Sequence, residues 1–204
     1  MSKHHRNRNW APDPQPLPED AHVIDNHTHV ASVVPFSQAM SHEAMEKGQG
    51  EVPVYSVDEL LKQAQDVGVE GVIDCGCELP NLMTAIDMAR EHPGTVHAAI
   101  AIHPNEAVLH GHRGAPGPDG LPIKYKPWHD IPFDEAMAEV HRLATTYPNQ
   151  VVAIGETGMD LFRTGESAKE LQREAFRAHI ALAKELNLPM QIHDRDSHKE
   201  VIET

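Results

Sequence analysis

The stretch His22-Val23-Ile24-Asp25-Asn26-His27-Thr28-His29 decides how the rest of the chain is read. Val23 and Ile24 begin an apolar run that reads as a strand, and residues i and i+2 of a strand share a face. His27 and His29 can therefore offer neutral imidazole nitrogens to one divalent cation, while Asp25, on that same face, can orient a ring from behind. In a chain with 16 histidines such a pair also arises without a metal, as polar residues at a strand end. The residues further along discriminate between the two.

Outward from this stretch, short apolar runs bounded by glycine or proline recur at His22–Asn26, Gly71–Cys75, Thr95–Ile102, Gln150–Gly155 and Pro189–His193, each predicted as a strand. Helical periodicity fills the intervals. Ser56 with Glu59 forms a capping box before Leu60, Leu61 and Ala64, and Asn81 opens a segment whose Leu82, Ala85, Ile86 and Ala89 share one face. Phe133–Tyr147 and Ala168–Leu186 repeat the pattern. Two intervals, Val30–Tyr55 and Asn105–Ile131, read as long loops, the second rich in glycine and proline.

This alternation predicts an α/β protein with parallel strands and right-handed crossovers, built as a TIM-type (β/α) barrel or as an open doubly wound sheet. The barrel is favoured, because His27 and His29, His103, Glu156 and His193 each follow or end a strand, the face on which barrel active sites assemble. An open sheet often carries a glycine-rich phosphate loop, and the sequence has none. Five of eight β/α units are expected over residues 22–204. Residues 1–21, a basic arm from Lys3 to Arg8 followed by four prolines between Pro12 and Pro18, are expected to form a disordered N-terminal arm.

At 204 residues and 40% hydrophobic, the chain is long enough to bury one sizeable core. A formal net charge of −14 argues against a protein that coats duplex DNA through lysine and arginine, although bound cations can still place positive charge where a phosphate sits. No window reaches the roughly 18 apolar residues of a membrane helix, and the N-terminus lacks an apolar signal region, so a cytoplasmic protein without membrane contact is expected. Cys75 and Cys77 cannot frame a disulfide scaffold and read as small buried thiols.

Glu156 lies in Ala153-Ile154-Gly155-Glu156-Thr157-Gly158-Met159-Asp160, where an apolar strand runs into a carboxylate between two glycines that permit close backbone approach. Asp160 reads either as support for a ligand or as a structural loop carboxylate. His193 ends Leu188-Pro189-Met190-Gln191-Ile192-His193 and suits a metal. Arg195 suits a phosphate or carboxylate, or else pairs with Asp194 or Asp196. His103 can bind substrate or metal, or cap its strand. The other histidines, among them His4, His5, His110, His112, His129 and His141, are expected to face solvent.

Together these residues resemble the TatD family of metal-dependent deoxyribonucleases and related hydrolases, within the amidohydrolase-like barrels. Ile24 to His29 is similar to the family's opening signature, Ile102-His103-Pro104 to its second and Ile154 to Asp160 to its third. Gln172 to Phe176, Ala183 to Pro189 and Ile192 to Arg195 are similar to the approach to its fifth-strand histidine. The likeness covers roughly residues 22 to 198, the insertion after His103 excepted.

The resemblance implies that His27 and His29 ligate one divalent ion, that Glu156 bridges two, and that His193 ligates the second. It places His103 and Arg195 against the substrate, with Glu156 and Asp25 as catalytic residues. The implied cofactors are two divalent ions, magnesium or manganese, with zinc as the alternative, and the implied reaction is phosphodiester cleavage by metal-activated water. The implied partner is DNA at its 3′ or 5′ ends, as a single strand, with a monomer expected for the full-length protein.

Two departures from the family stand out. Asn105 occupies a position where many members have histidine. A barrel of this type has eight strands in typically about 250 residues, and family members carry a later histidine in a His-x-Phe-x-Gly context and a later aspartate in a Thr-Asp context. After His193 only Asp194, Asp196 and His198 remain, in neither context, so a truncated product or a fragment with an open sheet edge and an incomplete metal site is expected. The alternatives are a related barrel acting on amides, lactones or phosphotriesters, which Glu156 in place of a lysine disfavours, or an inactive metal-binding fragment.

Overall fold

The computed structural model describes residues 15–48, 53–114, 117 and 121–204. The basic arm from Lys3 to Arg8 lies outside the described residues. Of the remaining proline-rich part, Leu17 donates its backbone N–H to Val67 O (2.8 Å).

Five strands, β1 (Val23–Thr28), β2 (Val69–Gly76), β3 (Val96–Ile100), β4 (Val151–Asp160) and β5 (Met190–Arg195), form one sheet in sequence order. All four pairings are parallel. Each strand lies beside its sequence neighbour, so there is no point at which the order reverses, as it must in a doubly wound sheet. The sheet is an arc of a TIM-type barrel. Its curl brings the two edge strands together on the inside, where the Gln191 side-chain amide donates to Asn26 O.

Helices α2 (Val57–Asp66), α3 (Leu79–Glu91), α5 (Phe133–Thr146) and α6 (Lys169–Leu186) fall where the periodicity predicts them. Ser56 and Glu59 cap each other at the start of α2 as expected. Leu82, Ala85, Ile86 and Ala89 of α3, with Ala136, Val140 and Leu143 of α5, are buried against Val96, Ala98, Ile100 and Ile154 of the sheet. The inner face of the arc is lined by smaller groups, Cys75, Ala99 and Ala153, which suits converging strands.

Two predicted loops contain helix. Val30–Glu46 forms α1, a 17-residue helix that accommodates Pro35 by giving up one ladder hydrogen bond. Only Ala44 of α1 is buried, so its apolar residues show no single face from which the sequence could betray it. The Asn105–Ile131 segment opens with the short helix α4 (Pro104–Ala107) and carries 3-10 turns at His110–His112 and Pro127–Asp130. These turns bury His110 and His129, which were expected to face solvent. Each ring is taken into the interior by a backbone bond: His110 Nδ1 lies 2.7 Å from Ile131 O, and Lys126 N–H donates to His129 Nδ1 (2.9 Å). No described helix is long and apolar enough to cross a membrane.

Candidate metal centre

The strands predicted at His22–Asn26 and Gln150–Gly155 end before His27 and Glu156, whereas β1 runs on through His27 and β4 through Glu156; β3 stops at Ile100, short of His103. β4 continues through Glu156 to Asp160 because it pairs with β5 at Thr157–Ile192, Gly158–His193 and Asp160–Arg195. The glycines make that pairing sterically open. A Cβ on Gly155 would stand 2.5 Å from the Gln191 Cβ, and one on Gly158, whose φ is +143°, would stand 2.1 Å from His193 O.

Glu156 is buried at the centre of the site, and its two oxygens divide the histidines between them. Oε2 lies 3.3 Å from His27 Nε2 and 3.7 Å from His29 Nε2. Oε1 lies 2.5 Å from His193 Nδ1 and 3.9 Å from His103 Nε2. Two sets of candidate ligands result, His27–His29–Glu156 and His103–Glu156–His193, with the atoms of each set within 4.8 Å of one another. Imidazole nitrogen and carboxylate oxygen at this spacing fit divalent cations.

Neighbouring groups fix the rings. His29 Nδ1 faces Cys75 O (3.4 Å), which places its proton there and turns the Nε2 lone pair toward Glu156. His103 differs, because its Nδ1 accepts the Asn105 N–H (3.1 Å) and the neutral ring therefore carries its proton on Nε2. His193 stands between Glu156 and Asp160, with Nε2 at 3.1 Å from Asp160 Oδ2. Asp160 is buried and also accepts from Asn105 Nδ2 (2.9 Å), Phe162 N (3.0 Å) and Arg163 N (2.8 Å). Gln172 clamps the Asp160 backbone from α6.

Charge is tightly coupled here. Burial pulls His193 down, but the hydrogen bonds of Asp160 and Glu156 prevail and lift it to about 9. Burial pushes Glu156 up, yet the His193 hydrogen bond and the charges of His103, His193 and His27 hold it at about 2. Asp160 is likewise held below the usual carboxylate range, against burial, by His193, Arg163 and Asn105. Burial and the neighbouring His193 lower His103 to about 4, so it is neutral near pH 7. Burial and the charges of Glu156 and Asp74 push Cys75 to about 12; Cys77, whose Sγ lies 3.7 Å from Glu156 Oε2, is also raised by burial and Glu156. Both are neutral thiols.

Asp25 accepts the His27 backbone N–H (3.2 Å). Arg195 is exposed at the end of β5, its guanidinium 4.1 Å above the Phe162 ring. Asp194 instead receives Ser197 and faces His198. Sequence reasoning missed two supporting residues. Asp74, buried at the end of β2, accepts the Ala31 N–H (3.3 Å) at the start of α1, beside His29. His179, buried in α6, accepts the Ile102 N–H at Nε2 (3.1 Å) while Nδ1 faces Ala175 O (2.8 Å), which pins the strand end before His103. Its place on the inward stripe with Ala175, Phe176 and Leu182 is the signal that could have found it.

A parallel β/α barrel arc whose strand ends bring together two histidine sets around one shared glutamate defines a barrel protein with a candidate binuclear metal centre. The family profile described as TatD related DNase matches residues 24–204, and the chain belongs to the TatD family. It is 32% identical over 146 residues to a protein of Bacillus subtilis named uncharacterized metal-dependent hydrolase YabD, covering 72% of this chain and 47% of that one. It is also 32% identical over 145 residues to the 3′-5′ ssDNA/RNA exonuclease TatD of Erwinia tasmaniensis, covering 71% and 46%. The chain thus spans about half the length of these relatives. The fold matches the crystal structure of YJJV, a TatD homologue from Escherichia coli, with a TM-score of 0.59 at 23% identity, over 88% of this chain and 53% of that one.

Proposed function

We propose that the whole protein is a metal-dependent hydrolase that cleaves phosphodiester bonds of single-stranded DNA from a 3′ or 5′ end, and that it is cytoplasmic and monomeric. The observation that carries this reading is the divided carboxylate of Glu156, with one oxygen toward His27 and His29 and the other toward His193 and His103. The names of the exonuclease relatives support the choice of substrate.

In this reading His27 and His29, with Glu156, would hold one divalent ion, and His193, with Glu156, would hold a second. Magnesium or manganese suits the phosphate chemistry, with zinc as the alternative. When bound, the ions supply Lewis acidity and an activated water. The chain supplies the rest. Glu156, its pKa held at about 2, provides the shared negative charge, and Asp25 steadies the His27 backbone by accepting its N–H. His103 Nε2–H, which faces His193 Nδ1 at 3.3 Å, would be a donor for a substrate oxygen rather than a metal ligand. Arg195, stacked on Phe162, offers a fixed cation to a flanking phosphate.

The test is a manganese-dependent assay on 3′- and 5′-labelled single-stranded DNA, run on the wild type and on Glu156→Gln. Cleavage by the wild type and its near abolition in the variant, with folding intact, is the expected result. A fully active variant would remove Glu156 from the chemistry, and hydrolysis of amides or lactones without DNA cleavage would replace the substrate class.

A further inference from the structure

The segment that follows His103 builds a fixed carboxylate into the wall of the same cavity. Lys126 N–H donates to His129 Nδ1 (2.9 Å), so the ring proton sits on Nε2, which donates to Glu106 Oε2 (2.7 Å). Trp128 Nε1–H donates to that same oxygen (3.2 Å). The His129 imidazole and the Trp128 indole thus hold one oxygen of Glu106 in place. Its second oxygen, Oε1, has no hydrogen-bond partner among the described residues.

Glu106 lines a cavity of about 740 Å3 that also reaches His29, His103 and Glu156. That volume lies within the range of about 300–1,000 Å3 typical of small-ligand sites. Glu78 lines the cavity too, and its carboxyl is pushed up by burial and by the charge of Glu106, with Lys126 acting in the opposite direction. An ionised carboxylate oxygen only accepts hydrogen bonds, so it recognises an O–H or N–H and repels a phosphate.

We infer that Glu106, held by His129 and Trp128, is a specificity-determining residue that accepts a hydrogen bond from the terminal nucleoside of a nucleotide chain and excludes a further phosphate there. The site then takes chain ends. This inference rests on the nuclease reading above for its substrate class, and it gives the Asn105–Ile131 segment a role.

The test measures equilibrium binding of thymidine 5′-monophosphate, thymidine 3′,5′-bisphosphate and phenyl phosphate to the manganese-loaded chain, comparing wild type with Glu106→Gln. The glutamine oxygen can still accept from Trp128 and His129, so the fold is retained. The variant is expected to bind the monophosphate about tenfold more weakly and the bisphosphate more tightly, with phenyl phosphate and manganese affinity unchanged. Trp128→Phe, which removes one of the two donors, should give a smaller change of the same signs. Equal shifts for all three phosphates, or an unchanged monophosphate affinity, would overturn the inference. Absence of DNA cleavage by the wild type alongside the expected binding pattern would sink the nuclease reading alone; cleavage without any discrimination would sink only the role of Glu106.

Discussion

At the scale of single residues, the site depends on groups that hold the candidate ligands as much as on the ligands. Asp160 fixes His193 from behind, and two backbone N–H groups and the Asn105 amide fix Asp160. Asp160→Asn keeps an oxygen for the backbone donors but turns an amide N–H toward His193 Nε2. Removing such an outer carboxylate typically costs 10–100-fold in metal affinity, and a manganese titration of the folded variant should show a loss of about that size. An unchanged affinity would make Asp160 a loop residue only. His179 offers a test in stability. Burial lowers its pKa to about 4 from the ordinary 6.5, so the folded state binds fewer protons than the unfolded chain. Its contribution is therefore complete above pH 6.5 and is lost as pH falls toward 4, a span worth about 3 kcal/mol. Urea unfolding at pH 7 and pH 4.5 should register that loss, and His179→Gln should flatten it.

At the scale of elements, the candidate ligands come from strand ends, and the helices that follow set their direction. α1 starts directly after His29, which makes no side-chain cap, and Asp74 of β2 takes the Ala31 N–H in its place. Asp74→Ala should cost about 1 kcal/mol, as loss of a helix cap does, and should weaken metal binding at the His27–His29 set; a melting curve and a metal titration check the two together. The β/α order was legible in the sequence because each strand is a short apolar run and α3, α5 and α6 each present one buried stripe. α1 was hidden, since a helix that buries only Ala44 leaves no stripe, and Pro35 argues against it. Among the candidate ligands, the convergence of His27, His29, Glu156 and His193 was legible from alternation and strand ends. Asp74 and Glu106 were not, because their partners lie in other elements: Asp74 meets α1 across 43 residues, and Glu106 meets His129 across 23.

At the scale of the whole molecule, a formal charge of −14 has to coexist with the polyanionic substrate proposed here. The basic residues do not resolve this, because many of them are spent on neighbouring carboxylates: Lys62 on Asp66, Arg142 on Glu139, and Lys169 on Glu166 and Glu200. In the proposed reading attraction is then local, from cations at Glu156, together with Arg195, whose guanidinium, like that of Arg163, lies over the Phe162 ring. This has a measurable consequence in salt. A protein that binds single strands through many lysines and arginines loses affinity with a slope of roughly 0.7 per phosphate contacted, whereas attachment through one metal-bound phosphate and Arg195 should give a slope of only about −1 to −2 in log affinity against log salt. Fluorescence anisotropy of a labelled oligonucleotide between 50 and 200 mM salt gives the slope, and chelation of the metal should abolish binding at every salt concentration. Arg195→Ala should shallow the slope further while leaving manganese affinity intact. Strong binding that survives chelation and falls steeply with salt would instead require a basic surface, and the metal centre would then not be what holds the strand.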